Sequence, residues 1–403
     1  MPMDLSLTVI PNSVGGAQRN GNVVMDKKFV AGMSMYREFW DGPVKCVLRP
    51  VRHESLPFST EFRISDLPFD LQFVDGDEPI GEDHVKSADV VLAGADNFRH
   101  LHISALCRDV GVPCVYGIEY TLKTRLQIIA LGRSTPFARL KSQLWSILTE
   151  RKRRRAFRIA AGLQANGVPA YQSYKSLAPN VLLYFDTRMS RDLFADEGDL
   201  SARFDSLDRG KPLRLLFSGR LEPLKGVDHL VPLAGRLREA GVPFELDIYG
   251  TGNLETQLKE QISADRLGNQ VRVNGPIDFE TELVPRVKAA TDIFVCCHPQ
   301  GDPSCTYLET LSCGVPIAGF ANEAFSGILN TADVGWGVKM NDVAALAKQI
   351  EHLNKNRNEI ELTARNALAF AGGHTFEATF QRRIDQLKSI AEAYKMNPAK
   401  SKR

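Results

Sequence analysis

Short apolar runs recur from one end of the chain to the other, with helical patterns between them. In the first half they are "LSLTVI" (5–10), "VKCVLR" (44–49), "FDLQFV" (69–74), "ADVVLAG" (88–94), "VPCVYGI" (112–118) and "VLLYF" (181–185). In the second half they are "LRLLFSG" (213–219), "FELDIYG" (244–250), "VRVNG" (271–275), "DIFVCC" (292–297) and "VPIAGF" (315–320). Most are continuously apolar rather than alternating, which marks strands covered on both faces. Helical stretches such as 226–240 and 253–265 lie between them, so the chain reads as repeated βαβ units with parallel sheets. The expected class is α/β, as two Rossmann-like, doubly wound parallel-sheet domains.

The polar stretch "SRDLFADEGDLSARFDSLDRGKP" (190–212) separates the two sets of strands and reads as a linker. It sets the expected domains at 1–195 and 205–374, followed by a long helix at 375–396 and a disordered tail at 397–403. A length of 403 residues, 43% hydrophobic and 24% charged, suits two or three domains with full cores. No apolar run approaches the ~18 residues of a membrane span. The opening "MPMDLSLTVIPNSVGG" lacks the basic and apolar regions of a signal peptide. The seven cysteines are odd in number and match no zinc-finger spacing. In "CCH" at 296–298, adjacent strand residues point to opposite faces, which argues against a metal there. A reducing, cytoplasmic compartment fits this cysteine usage.

Ligands of open parallel sheets sit at the C-terminal ends of strands, and three such places stand out. In "FSGRLEPLKGVDHL", Arg220 and Lys225 follow a strand and precede a helix, whose unpaired N–H groups would add to their charge in an anion site. In "HPQGDPSCTYLETLSCGVP", Asp302 is placed to cap a helix with Pro303 in its first turn and Gly314 at its end. That helix would set Asp302, Thr306 and Glu309 on one stripe, a solvated face or a grip for ribose hydroxyls. In "VIPNSVGGAQRNGN", Gly15 and Gly16 follow the first strand and would permit close backbone approach to a ligand.

Together these stretches, with "YGTGNLETQL", "VRVNGPI" and "YLETLSCGVPIAGF", resemble the retaining glycosyltransferases of family four. The resemblance covers about residues 210–340. It implies the GT-B fold, two facing Rossmann-like domains with the C-terminal helix completing the first. It also implies a nucleotide-sugar between the domains, no metal cofactor and no protein nucleophile. On that resemblance Arg220 and Lys225 hold the donor diphosphate, and Glu309 binds the ribose. Cys305 and Thr306 offer backbone amides, and Gly15 and Gly16 face the donor. Fixed cations and amides are what a leaving phosphate needs when no divalent ion is present.

Two positions depart from the family pattern. A glutamate is usual eight residues before the ribose-binding one, and this chain has Gly301 there, with Asp302 next to it. Either Asp302 takes its role or the sugar is held differently. After "PCVYGI", where a histidine is common, stands Glu119, which either contacts donor sugar or acceptor or caps the following helix.

From Lys123 to Arg158 there are eleven basic residues and one acid, Glu150, a charge of +10 against +2 for the whole chain. Within it Phe137, Leu140, Leu144, Ile147 and Leu148 recur at helical spacing beside Trp145, and "RKRRR" follows. Such a helix at 134–158 either lies on an anionic membrane surface or buries its apolar face as core. No interleaved aromatics or known module support a nucleic-acid partner.

The expected activity is transfer of a hexose from a nucleotide-sugar to a lipid-linked or saccharide acceptor, with retention, in surface polysaccharide assembly. The expected location is the cytoplasmic, inner face of the membrane. The alternatives are a non-catalytic nucleotide-sugar-binding scaffold and a sugar-nucleotide epimerase of the same architecture.

Overall fold

The computed structural model describes residues 4–12, 15–19, 21–50, 59–74, 77–132 and 134–396. The tail at 397–403 lies outside them. The chain forms two compact units: one contains the residues up to Leu122, Leu140–Tyr184 and the residues from Glu377, the other Lys123–Arg139 and Phe185–Phe376.

Among the described residues, the first unit holds a parallel sheet of seven strands. Their spatial order is Val181–Tyr184, Gly162–Asn166, Cys114–Ile118, Val90–Gly94, Leu7–Ile10, Val44–Leu48 and Asp70–Phe73. Leu7 pairs with Val44 on one side and with Val90 on the other. The chain therefore builds outward from its first strand in both directions, a doubly wound sheet whose order reverses beside that strand. Every residue of Leu7–Ile10 is buried, as its unbroken apolar sequence requires.

The strand Gly162–Asn166 escapes an apolar search because it carries Gln164 and Asn166, yet all five residues are buried. The helix Phe376–Met396 explains how. Gln164 donates to the Arg383 carbonyl at 2.9 Å and accepts from Arg383 Nε at 2.8 Å, so its amide is satisfied on both sides. The Arg383 guanidinium also lies over the rings of Tyr184, Phe380 and Tyr36, at 4.4, 5.0 and 5.6 Å.

A small antiparallel sheet of Gly15–Arg19, Asn22–Asp26 and Ser59–Arg63 completes the first unit. Gly15 pairs with Met25, so Gly15 and Gly16 lie in a strand and not in a glycine turn. Asn22–Asp26 buries only alternate residues, a pattern that a search for continuous apolar runs passes over.

The second unit holds a parallel sheet in the order Val271–Gly275, Phe244–Tyr249, Leu213–Ser218, Ile293–Cys296, Ile317–Phe320 and Gly335–Val338. The supposed linker at 190–212 is not one: it contains the helix Glu197–Asp208. Asp196 and Asp199 start that helix with reciprocal bonds of 2.9 and 3.1 Å, a capping box. Leu200, Phe204 and Leu207 enter the core of the unit. Arg203 is buried among them and donates to the carbonyls of Thr291 and Gly314, at 3.1 and 2.6 Å. A buried arginine whose hydrogen bonds go to backbone looks, in sequence, like surface. The division between units accordingly falls at Phe185, not near 195.

The basic segment contains nearly all of two helices, Leu122–Leu131 and Pro136–Ile159, and the second is the helix expected at 134–158. The apolar residues of the second helix up to Leu148 are not core: Phe137 is 80% exposed, and Leu140, Leu144, Trp145, Ile147 and Leu148 are exposed with it. The buried face is instead Ser146, Thr149, Glu150, Arg153, Ala156 and Phe157. Within "RKRRR", Arg153 is a core residue, paired with Glu150 at 3.0 Å, and Tyr174 donates to the same carboxylate at 3.2 Å. Among the described residues, no helix is long and apolar enough to cross a membrane.

Arg383→Ala removes the guanidinium from its three rings and leaves the Gln164 amide oxygen without its donor. The expected loss is about 2–3 kcal/mol, read as a lowered urea midpoint with an unchanged slope.

Candidate active site

The second unit gathers polar side chains where the strands Leu213–Ser218 and Ile293–Cys296 end. The two loops that follow are pressed together at Gly226, which sits at φ +67°. A side-chain carbon there would lie 1.8 Å from the Cys297 carbonyl oxygen, so only glycine allows this approach. The contact brings Lys225 against the second loop. Lys225 is buried, 9% exposed, and its ammonium lies 3.2 Å from Asp302 Oδ2 and 3.3 Å from Ser304 Oγ. Gln300, fully buried, accepts from the Asp302 N–H at 2.5 Å and donates to the Leu224 carbonyl at 3.5 Å. It links the same two loops a second time. Arg220 has a different setting: about half its side chain is in solvent, 3.3 Å from Glu222.

Two expectations about helix starts need correction. After Arg220 the chain makes two short 3-10 turns, Pro223–Lys225 and Val227–His229, and the α-helix begins only at Leu230. The second helix runs Thr306–Ser312, with Cys305 and not Asp302 in the capping position. Asp302 turns its carboxylate to Lys225, while its carbonyl accepts from the Ser304 N–H at 2.8 Å, which holds residues 302–304 outside the helix. Asp302 therefore shares no helical stripe with Thr306 and Glu309.

Thr306 accepts from Ser304 Oγ at 3.1 Å, and Cys305 Sγ lies 3.3 Å from Asp186 Oδ2. Glu309 is not a solvated acid: Arg188 Nε donates to it at 2.8 Å, and the guanidinium lies 3.7 Å from the centre of the Phe279 ring. Burial works against the charge on Arg188, but Glu309 outweighs it and holds the group above its ordinary range. Arg188 and Phe279 were not legible as site residues, because each is isolated in sequence from the stretches that mark the site; Gln300 lies inside one of them, but its link to Leu224 is a tertiary contact that the sequence does not show.

His298 is buried with its ring against Tyr307, 5.9 Å between centres. Its Nδ1 has no hydrogen-bond partner among the described residues. Burial, helped by the Lys225 charge, pushes its pKa well below the usual value, so it is neutral. Asn322 donates to the His298 carbonyl at 3.2 Å and to the Tyr307 hydroxyl at 3.0 Å, which fixes the strand end under the site.

At Gly301, a side-chain carbon would lie 2.7 Å from Glu323 Oε2 and 3.1 Å from Glu323 Cβ. The Gly301 N–H donates to Gln127 Oε1 at 3.1 Å.

Glu119 and the strand carrying Gly15 and Gly16 belong to the first unit. Asp96 accepts from the backbone N–H groups of Glu119 and Tyr120 at 2.9 and 3.2 Å. Asn12 Oδ1 accepts from those of Asp96 and Asn97, both at 3.1 Å. This network sits at the ends of the Leu7–Ile10, Val90–Gly94 and Cys114–Ile118 strands, where the strand order of the sheet reverses.

Two Rossmann-like units with parallel sheets define the GT-B class, and solved structures of that class share the fold. Anabaena Alr3699/HepE in complex with UDP superposes with a TM-score of 0.65, at 14% identity, over 96% of this chain and 100% of that one. Sucrose-phosphate synthase from Thermosynechococcus elongatus gives 0.62 at 14% identity, over 96% and 99%. Residues 200–370, which contain the whole Lys225 cluster, match the family model "Glycosyl transferases group 1". Amylovoran biosynthesis glycosyltransferase AmsK of Erwinia amylovora is 27% identical over 157 residues, 37% of this chain and 38% of that protein. The putative colanic acid biosynthesis glycosyltransferase WcaL of Escherichia coli K12 is 26% identical over 149 residues, 34% and 35% of the two. The chain thus matches little more than a third of the length of these curated relatives.

His298 gives the site a pH signature. Its folded pKa is depressed, so below about 6.5 the unfolded chain takes up a proton that the folded chain refuses, and stability falls as pH falls. Urea midpoints measured from pH 7 to 5 are expected to decline less steeply in His298→Gln than in the wild type.

Proposed function

We propose that the chain is a retaining, metal-independent glycosyltransferase that moves a hexose from a nucleotide-sugar to a lipid-linked or saccharide acceptor, in surface polysaccharide assembly. One observation carries the reading. The stretch matching group 1 glycosyl transferases folds into a sheet whose strand ends collect Lys225, Asp302, Ser304 and Glu309 around two cross-linked loops. The names of AmsK and WcaL, both polysaccharide biosynthesis glycosyltransferases, support the pathway class.

In this proposal Arg220 and Lys225 bind the donor diphosphate and stabilise the charge that builds on it as the sugar leaves. Asp302 orients Lys225, the backbone at Cys305 and Thr306 receives phosphate oxygens, and Glu309 binds the ribose. Arg188 then holds the Glu309 carboxylate in place. Glu119 serves the acceptor or the transferred sugar, and Gly15 and Gly16 approach the donor. No metal ion takes part.

The proposal extends to a peripheral location on the inner face of the membrane. The exposed row Phe137, Leu140, Leu144 and Leu148, with Trp145 and Ile147 beside it, is bordered by the exposed cations Lys141, Arg151, Lys152 and Arg155 and by the half-buried Arg139. Apolar residues beside cations match an anionic lipid surface, which takes the first into its acyl boundary and the second at its head groups.

Titration of purified protein against UDP-, GDP- and ADP-linked hexoses without added metal tests the transferase reading. One donor class is expected to bind, and Arg220→Ala to weaken it at least about tenfold. No binding to any donor by the wild type overturns the reading in favour of a protein without transferase activity.

For the membrane, the wild type is expected to sediment with phosphatidylglycerol vesicles and not with phosphatidylcholine vesicles. Leu144→Glu/Leu148→Glu is expected to lower that binding more than about tenfold. Equal sedimentation of wild type and variant would show that this helix is not the anchor.

A further inference from the structure

We propose that Glu323 is the carboxylate that binds a hydroxyl of the sugar carried by the nucleotide donor, and that residue 301 is glycine to make room for it. The proposal rests on the nucleotide-sugar reading given above and assigns a residue that reading leaves out.

Glu323 is the first residue of the helix Glu323–Leu329, which follows the strand Ile317–Phe320. That strand is the direct neighbour of Ile293–Cys296 in the sheet, so Glu323 emerges at the same sheet edge as the 298–305 loop. Its carboxylate reaches across to that loop and fills the space where any side chain on residue 301 would begin, 2.7 Å from Oε2. Gly301 is next to Asp302, the partner of Lys225. The sheet edge therefore presents, over two adjacent residues of one loop, a cation held for phosphate and a carboxylate beside it.

The carboxylate is fixed from behind. Asn322, buried, accepts from the N–H groups of Ala324 and Phe325, both at 3.0 Å, and so sets the start of the helix. Lys123 pairs with Oε1, and Gln127 Nε2 lies 3.3 Å from Oε2 while its own oxygen takes the Gly301 N–H. Partial burial works against ionisation, but Lys123, the residue's own N–H and Gln127 together hold the group below the ordinary carboxylate range. One third of the side chain remains open to solvent. An ionised carboxylate only accepts hydrogen bonds, with room for about four. Its three anchors leave about one acceptor position open, which a sugar hydroxyl can fill.

The test compares each hexose-linked UDP, GDP and ADP with its bare nucleoside diphosphate, by calorimetric titration of the wild type, Glu323→Gln and Gly301→Ala. The bare nucleotide is expected to bind all three proteins within about twofold, and the nucleotide-sugar to bind both variants about tenfold or more weakly than the wild type. Gly301→Ala reaches the same result from the other side, because its methyl displaces the carboxylate; it decides the matter if Glu323→Gln does not fold. Equal weakening of nucleotide and nucleotide-sugar assigns Glu323 to loop structure and overturns the proposal, as does unchanged binding of both. A wild type that binds nucleotide-sugars while the variants bind them equally well leaves the transferase reading standing without Glu323. A wild type that binds none of them overturns both.

Discussion

A lysine side chain nine-tenths buried has to be paired, and the pairing of Lys225 with Asp302 ties together the two loops at the strand ends of the second unit. The pair forms only because Gly226 lets one loop lie on the carbonyl of Cys297 in the next. Gln300 repeats the link from the opposite loop, and Ser304 takes a second ammonium hydrogen before the chain turns into the Thr306–Ser312 helix. Two of the three ammonium hydrogens are thus engaged within the protein. What remains is a cation with a fixed direction, which costs little further ordering when an anion meets it. Arg220, half in solvent, has the complementary property of reach without fixed position.

Much of the architecture was legible because buried parallel strands announce themselves as continuous apolar runs. The same criterion missed what satisfies it in another way. Gln164 lies in a fully buried strand because Arg383, more than two hundred residues away, bonds both ends of its amide. Arg203 looked like part of a linker because sequence does not show two backbone carbonyls waiting for it. The site divides likewise. Lys225 and Glu309 lie in stretches whose residue order carries the family resemblance. Arg188 and Glu323 reach their places only through tertiary contacts, with Glu309 in one case and with Lys123, Gln127 and Gly301 in the other. The offset of the helix start from Asp302 to Thr306 has the same origin: a good capping residue was taken by a buried cation.

The basic helix shows where sequence leaves two readings and structure separates them. Periodicity placed Phe137, Leu140, Leu144 and Leu148 on one face, but periodicity does not say which face is inside. The answer comes from the opposite side of the helix, where Glu150, Arg153 and Tyr174 form a closed buried network. With the polar side committed to the interior, the apolar side is left outward.

The first unit is assembled from three separate stretches of chain, and the last of them is the helix that carries Arg383. During synthesis the early strands emerge first, but Gln164 stays without its partner until Arg383, more than two hundred residues later, has emerged. The second unit, whose sheet strands lie between Leu213 and Val338, is translated in full before that moment. The order of completion thus runs against the order of the sequence: the half that begins first closes last.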